Sequence, residues 1–332
     1  MPNSSFKITL LKFVNILGPM IGLAVVVIIF LMFELPREKV LTSGGGWKNI
    51  FIQTSVIAIG AMGMTLIIAS GGIDLSAGSI IAVSSVLGAK LATMGHSPFV
   101  VVLGVLGTGT LLGLINGAII VKFKMVPFIV TLGMMGVARG LAKWAGNSQA
   151  VNVNSEMPAR GLIDGFMGVQ NIKDFFPLPA GVWGTVLLAV FMTVVLNRTV
   201  FGRHLFAIGS NEETARLCGI KVGFNKMMIY TLGGFFFGLA GLMMLSRLGQ
   251  GDPSTAVGKE LEIIAAVVIG GASLSGGSGS IPGAMIGVLI MGVLAQCTQI
   301  VGWPSYFQEI IIGVIIILAV GVDKWRNKQF SS

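Results

Sequence analysis

The chain of 332 residues contains few charged residues, few cysteines and few histidines. Charged side chains make up 11% of the sequence, whereas soluble globular proteins average roughly 25%. This shortage excludes a water-soluble globular protein, and the 54% hydrophobic content excludes a chain that stays disordered in water. The two cysteines and two histidines offer too little material for a disulfide framework, a metal site or a histidine-based hydrolytic triad.

A nucleotide-binding loop is also missing. The sequence has no Gly-x-x-x-x-Gly-Lys-Ser/Thr motif, and its one Gly-Lys pair, Gly258-Lys259, is followed by Glu260. No dense line of acidic residues crosses the hydrophobic runs, which disfavours a proton-driven carrier. We therefore expect a chain that is not an enzyme, holds no cofactor or metal of its own, and depends on another chain for energy.

Apolar runs dominate the sequence. A membrane-spanning helix needs about 20 predominantly apolar residues, and ten runs approach this length. They cover residues 16–33, 50–69, 78–94, 98–121, 126–145, 182–197, 224–248, 260–273, 282–301 and 305–322. The first run lacks a clear cleavage site, which favours an uncleaved anchor over a signal peptide. The predicted fold class is all-α: a polytopic membrane protein of about ten transmembrane helices, with interrupted or re-entrant segments, forming one transmembrane domain over residues 1–332.

The distribution of basic residues predicts the orientation of the chain. With ten spans, twelve Lys and Arg residues lie on the side of both termini: Lys7, Lys12, Lys122, Lys124, Arg198, Arg203, Arg216, Lys221, Lys226, Lys324, Arg326 and Lys328. Because Lys and Arg are retained in the cytoplasm, both termini are expected there, and the net charge of +9 does not indicate a nucleic-acid partner.

The longest loop, 146–181, then lies outside as a plain connection or a docking surface. Its residues 161–167 lie on the membrane surface or cap the protein.

Two of the apolar runs are interrupted in the same way. Residues 68–79 and 268–278 each contain Gly-Gly, two further residues and then Leu-Ser. Irregular backbone at membrane depth is stable only where it is buried or lines a water-filled cavity. Corresponding interruptions in two halves are typical of transporters built from repeats, although 48 glycines can also produce such an echo by chance. The predicted translocation path consists of Gly71, Gly72, Asp74, Ser76, Asn116, Gly270, Gly271, Ser273 and Ser275.

The polar residues near this path have more than one interpretation. Asp74 could cap a helix that starts at Leu75, contact a polyhydroxylated solute or pair with a cation. Asn116 fits a hydrogen bond between helices equally well. Glu262 and Glu309 are expected near the outer ends of spans, where they can simply reach water.

The linker 198–221 contains the signature of a short helix. Ser210 or Asn211 can cap it, the two glutamates that follow complement the helix dipole, and Gly219 can end it. Residues 210–220 are therefore predicted to form an amphipathic cytoplasmic helix of about two turns. A short helix between two spans is suited to docking a soluble partner.

The same linker resembles a motif of a known family. Glu213-Thr-Ala215 followed by Gly219 is similar to the Glu-Ala-Ala-x-x-x-Gly loop of bacterial ABC importer permeases, with Thr214 where Ala is usual. Further motifs that carry the resemblance are Ser70-Gly-Gly-Ile-Asp-Leu-Ser76, Ala207-Ile-Gly-Ser-Asn-Glu-Glu213, Ala265-Ala-Val-Val-Ile-Gly-Gly271 and Ala319-Val-Gly-Val-Asp323. From about residue 50 to its end, the chain resembles the ribose, xylose and arabinose type of monosaccharide permease.

This resemblance implies a permease subunit that moves a monosaccharide across the bacterial cytoplasmic (inner) membrane. The implied partners are a cytoplasmic ATPase with two cassettes that uses ATP and Mg²⁺, a periplasmic or extracellular sugar-binding protein, a second permease copy or paralogue, and membrane lipid. The implied coupling element is Glu212, Glu213, Thr214, Ala215, Arg216 and Gly219. The alternative function is a self-sufficient facilitator or ion-coupled secondary carrier for a small polar solute.

Overall fold

The structure, a computed structural model, describes residues 4–33, 44–167 and 178–330. In these residues, thirteen α-helices and two short β-strands follow one another along the chain. The helices are α1 (Ser4–Phe33), α2 (Gly44–Ala69), α3 (Ala77–Thr93), α4 (Pro98–Phe123), α5 (Pro127–Ala145), α6 (Arg160–Met167), α7 (Ala180–Arg198), α8 (Val200–Ser210), α9 (Glu212–Leu217), α10 (Val222–Leu248), α11 (Lys259–Ile269), α12 (Ile281–Ile300) and α13 (Ser305–Phe330). The strands are β1 (Val151–Asn152) and β2 (Gln250–Gly251), which pair antiparallel.

Each of the ten predicted apolar runs falls on a helix, which confirms the all-α membrane fold. Among the described residues, five helices are long and apolar enough to cross a bilayer: α2, α4, α7, α10 and α12. Helix α11 has only 11 residues, which corresponds to about 16 Å. The run predicted at 260–273 is therefore not a complete span but an interrupted one, and the total of ten crossings stays a prediction.

Helix α10 packs against α2, α3 and α4. Its approach to α4 is close because glycines face each other: a Cβ atom on Gly113 would lie 2.8 Å from the Cα of Gly234, and one on Gly238 would lie 3.3 Å from the Cα of Gly109. Small residues at such contacts let membrane helices pack tightly. With 27 residues, α10 spans about 40 Å, from α9 at one end of the bundle to α6 at the other.

Helices α2 and α7 show the two environments of the bundle. The second half of α2, from Val56 to Ala69, is buried throughout. Helix α7 instead exposes apolar side chains, including Leu187 and Phe191 at 69% and 61%. Exposed apolar surface of this extent marks contact with a membrane or a partner, so α7 lies at the outside of the bundle.

The described part of the loop 146–181 forms a cap over one end of α10. Helix α6 contacts α10, where the Ser246 hydroxyl donates a hydrogen bond to the Ile163 carbonyl. The side chain of Ile163 is 1% exposed. These contacts support the capping interpretation of residues 161–167; the remainder of the loop, residues 168–177, lies outside the described residues.

Candidate coupling site and translocation path

Helix α9 occupies the position of the predicted short helix. Asn211 caps it, because its Oδ1 accepts a hydrogen bond from the Thr214 amide at 2.8 Å. Ser210 is not the cap, since it is the last residue of α8. Gly219 follows the helix with a φ of +83°, a left-handed conformation that favours glycine and terminates helices.

The six predicted coupling residues lie in different environments around α9. Ala215 is 3% exposed and packs with Ile208 and Val222, so its role in the structure is to attach α9 to the bundle. The exposed members of the set are Glu213, Thr214, Arg216 and Gly219. Leu217 was not predicted as part of the site, yet its apolar side chain is 85% exposed beside them.

Glu212 joins α9 to α10. Its carboxylate pairs with Lys226 of α10 and, at 3.2 Å, with Arg216 on the following turn of α9. Glu213 is exposed and takes part in none of the ion pairs among the described residues. Adjacent acids therefore have different functions in the structure: Glu212 positions α9, and Glu213 is accessible to another molecule.

Helix α8 was not predicted, because residues 198–210 were interpreted as a linker. Thr199 caps α8 through its Oγ1, which accepts a hydrogen bond from the Gly202 amide at 3.3 Å. The backbone of Thr199 is extended, with φ −102° and ψ 164°, so the chain changes direction between α7 and α8. A threonine at a helix start is a recognised capping signal, and it could have indicated this helix.

The first break separates α2 from α3. Gly71 has a φ of +84°, and the Gly72 amide donates to a carbonyl in the last turn of α2 at 3.0 Å. Helix α3 begins at Ala77, not at Leu75 as predicted. A Cβ atom on Gly72 would meet the hydroxyl of Tyr230, which lies about 12 Å along α10 from its start. The break is therefore inside the bundle.

Asp74 is fully buried within this break. Its Oδ1 accepts hydrogen bonds from the Ser76 amide at 2.8 Å and from the Ser76 hydroxyl at 2.5 Å, the geometry of an Asx turn. Asn116 of α4 donates to the Ser76 hydroxyl at 3.0 Å and to Asp74 Oδ2 at 3.4 Å. In the part of the chain that the structure describes, Asp74 has no ion-pair partner. These contacts favour a structural role for Asp74 and a bond between elements for Asn116.

The second break separates α11 from α12 and contains a turn like that of Asp74. The Ser273 hydroxyl accepts a hydrogen bond from the Ser275 amide at 3.3 Å. Asp74 and Ser273 occupy corresponding positions in the two sequence motifs. The repeated sequence therefore produces a repeated turn, in which a hydroxyl replaces the carboxylate.

The ends of α2 and α11 are offset by one residue relative to these motifs. The motifs align Gly71 with Gly270. In the structure, Gly270 has a φ of −66°, and Gly271 adopts the left-handed conformation with a φ of +91°. The left-handed glycine is thus the first of its pair in one break and the second in the other.

The two breaks contact each other and the end of α8. The Gly277 amide donates to the Ala69 carbonyl at 3.0 Å. A Cβ atom on Gly276 would lie 2.5 Å from the Gly209 carbonyl oxygen and 2.8 Å from the Cα of Gly71. We name this contact the glycine junction, formed by Gly71, Gly209, Gly276 and Gly277. Both breaks were predicted in the path, but neither their contact nor Gly209 was.

The fold and these sites define a class of protein. A multi-pass helical bundle with buried backbone interruptions and a short exposed helix between spans is typical of a membrane transport subunit. The family described as "Branched-chain amino acid transport system / permease component" matches residues 47–320. The chain belongs to this permease family.

Relatives with a narrower description are also similar over most of the chain. The ribose import permease protein RbsC of Escherichia coli K12 is 40% identical over 279 residues, which cover 84% of this chain and 85% of the relative. RbsC of Bacillus subtilis is 40% identical over 316 residues, covering 94% and 93%. The L-arabinose ABC transporter permease protein AraH of Azospirillum brasilense is 39% identical over 285 residues, covering 85% and 80%.

These relatives confirm the resemblance drawn from the sequence motifs. The chain is a multi-pass protein of the bacterial inner membrane and a transport subunit of the permease type. No solved structure shows a significant match to it.

Proposed function

We propose that this chain is the transmembrane permease subunit of an ABC importer that moves a monosaccharide into the cytoplasm. Identities of 39–40% to ribose and arabinose permeases over at least 84% of the chain support a sugar as the solute. The broader family description names branched-chain amino acids. Leucine is therefore the solute to compare with pentoses and hexoses.

The ATPase partner docks on α9 in this proposal. The exposed face of α9 presents the carboxylate of Glu213, the hydroxyl of Thr214 and the apolar side chain of Leu217. The proposed partner is a cytoplasmic ATPase with two cassettes. ATP and Mg²⁺ bind to that ATPase and not to this chain. A second permease copy or paralogue and an external sugar-binding protein complete the importer. Residues 1–332 form a single permease domain with both termini in the cytoplasm.

The observation that carries the proposal is the glycine junction directly before α9. Gly209 lies at the end of α8, and its backbone contacts the first break and the second break at once. Because these contacts involve backbone atoms, a displacement of α8 and α9 by the ATPase shifts both breaks. Movement of interrupted helices around a central path is a common basis of alternating access.

An uptake assay tests this function. Cells that lack their own pentose import and express the chain with its ATPase and binding protein should accumulate labelled ribose or arabinose, and a panel of sugars identifies the substrate. Inactivation of the ATPase should remove uptake. Uptake that persists without the ATPase would contradict the proposal and favour a facilitator or ion-coupled carrier, and uptake of leucine but of no sugar would contradict the sugar assignment.

A further inference from the structure

A polar cavity of about 420 Å³ lies between α2, α11, α12 and α13. Each of these helices contributes a polar side chain to its wall: Gln53, Glu262, Gln299 and Gln308. The cavity is separate from the breaks and from α9, and no part of it was predicted as a site. Its volume falls within the roughly 300–1,000 Å³ that is usual for small-molecule sites.

The charges in the cavity wall balance each other. Two basic residues, Arg247 and Lys259, and two acidic residues, Glu262 and Glu309, line the same space. The Lys259 ammonium donates to both carboxylate oxygens of Glu262, at 2.7 and 2.8 Å. Glu262 is 8% exposed, so it does not simply extend into bulk water as predicted, whereas Glu309 is exposed. A wall with balanced charge does not select a strongly charged solute.

The glutamine amides of the cavity suit a solute with many hydroxyl groups. Each amide offers two donors and an oxygen acceptor, and a sugar hydroxyl likewise both donates and accepts. Gln53, Gln299 and Gln308 reach the cavity from three different helices. Together they can bond hydroxyls on several sides of one ring without binding a fixed charge.

Two of the helices that line the cavity also lead to the breaks. Ile57 of α2 lines the cavity, and one turn further along α2, a Cβ atom on Gly60 would lie 2.7 Å from Cδ1 of Ile263 on α11. Gly60 and Ile263 each lie close in sequence to a residue of the cavity wall, Ile57 and Glu262. Beyond this contact, α2 and α11 continue as buried helices to Gly71 and Gly271, where the two breaks begin.

We infer that this cavity is the outward-facing entry site for the sugar, and that the contact between Gly60 and Ile263 separates it from the breaks. The inference rests on the proposed function, because it takes the solute to be a sugar. Arg247 lies near the end of α10 that contacts α6, opposite to α9. In the proposed orientation, the cavity therefore opens to the outside, where a binding protein releases its sugar.

Chemical modification of a cysteine in the cavity tests this inference. In a chain with Cys218 and Cys297 replaced by alanine, Gln308→Cys should react with a bulky, membrane-impermeant maleimide added outside. The modification should lower sugar uptake by about tenfold or more, which corresponds to about 1.4 kcal/mol in the barrier. Ser97→Cys, in the exposed turn between α3 and α4, is the control and should be modified without loss of uptake.

Two results would overturn the inference: no reaction of Gln308→Cys from the outside, or undiminished uptake after complete modification. If Gln308→Cys does not assemble, Gln299→Cys on α12 replaces it, because Gln299 lines the same cavity. Its reaction from the outside and the uptake after modification are then the two readouts. Uptake by the unmodified wild-type importer tests the proposed function separately. A wild type that imports no sugar would contradict that function, while outside access to the cysteine still decides whether the cavity opens outward.

Discussion

Asp74 is a buried carboxylate whose hydrogen bonds, rather than its charge, explain its position. Asp74→Asn keeps an oxygen acceptor for the Ser76 amide. Asp74→Ala leaves the buried donors of Ser76 without this acceptor, which costs about 1–3 kcal/mol. The melting temperature of the purified permease should therefore fall further in Asp74→Ala than in Asp74→Asn. Sugar uptake should be retained in Asp74→Asn. Equal loss of uptake in both variants would instead indicate an essential charge.

The adjacent residues Glu212 and Glu213 allow docking to be separated from folding. Because Glu213 is exposed, Glu213→Lys should weaken ATPase binding by roughly tenfold or more through charge mismatch without changing the melting temperature. Glu212→Lys places a third positive charge beside Lys226 and Arg216. It should lower both the affinity for the ATPase and the melting temperature. Co-purification with the ATPase and melting of the permease alone measure the two effects. Wild-type ATPase binding by Glu213→Lys would contradict a docking role for this face.

Helices α4 and α10 depend on backbone contact at glycine. A Cβ atom on Gly113 would meet the Tyr230 carbonyl, whereas one on Gly107 of the same helix has no neighbour within 4 Å. Gly113→Ala should destabilise the protein by about 1–3 kcal/mol through overpacking. Gly107→Ala should be neutral or stabilising by up to about 1 kcal/mol, because alanine favours helix. Melting temperatures check this pair, and equal values would show that the α4–α10 contact is not tight.

Local signals in the sequence predicted the elements that depend on nearby residues. The apolar runs indicated the long helices, and the Asn211 cap, the following acids and Gly219 indicated α9. The glycine pairs located both breaks but not the register of their left-handed residues, which depends on how each helix end is hydrogen bonded. Helix α8 was missed because its mixed composition resembles a linker.

Contacts between distant segments could not be predicted in this way. The glycine junction joins Gly71 and Gly209 with Gly276 and Gly277, and no feature near one of these three segments identifies the other two. The cavity likewise combines Gln53 of α2 with Gln299 and Gln308 of α12 and α13, which lie far from α2 in the sequence. These contacts are set by the packing of α2, α8, α11 and α12, and a single sequence contains no direct signal for that packing.

The orientation of the assembled chain can be tested with its natural thiols. Cys218 directly follows α9 and is exposed, whereas Cys297 is buried. An impermeant maleimide should label Cys218 in inside-out vesicles but not in intact spheroplasts, and bound ATPase should slow the reaction. Labelling of Cys218 from the outer face would contradict the proposed orientation and with it the cytoplasmic docking of α9.

In the proposed importer, ATP-driven movement of α9 reaches both breaks through the glycine junction. The most direct measurement is sugar uptake per ATP hydrolysed by the reconstituted importer, with Gly209→Ala compared with Gly133→Ala. A Cβ atom at Gly209 would meet the Ala69 carbonyl and lie 2.6 Å from the Gly277 amide nitrogen, whereas one at Gly133 has no neighbour within 4 Å. Gly209→Ala should still bind the ATPase but lose most uptake per ATP, and Gly133→Ala should match the wild type. Wild-type uptake per ATP in Gly209→Ala would contradict this coupling through the glycine junction.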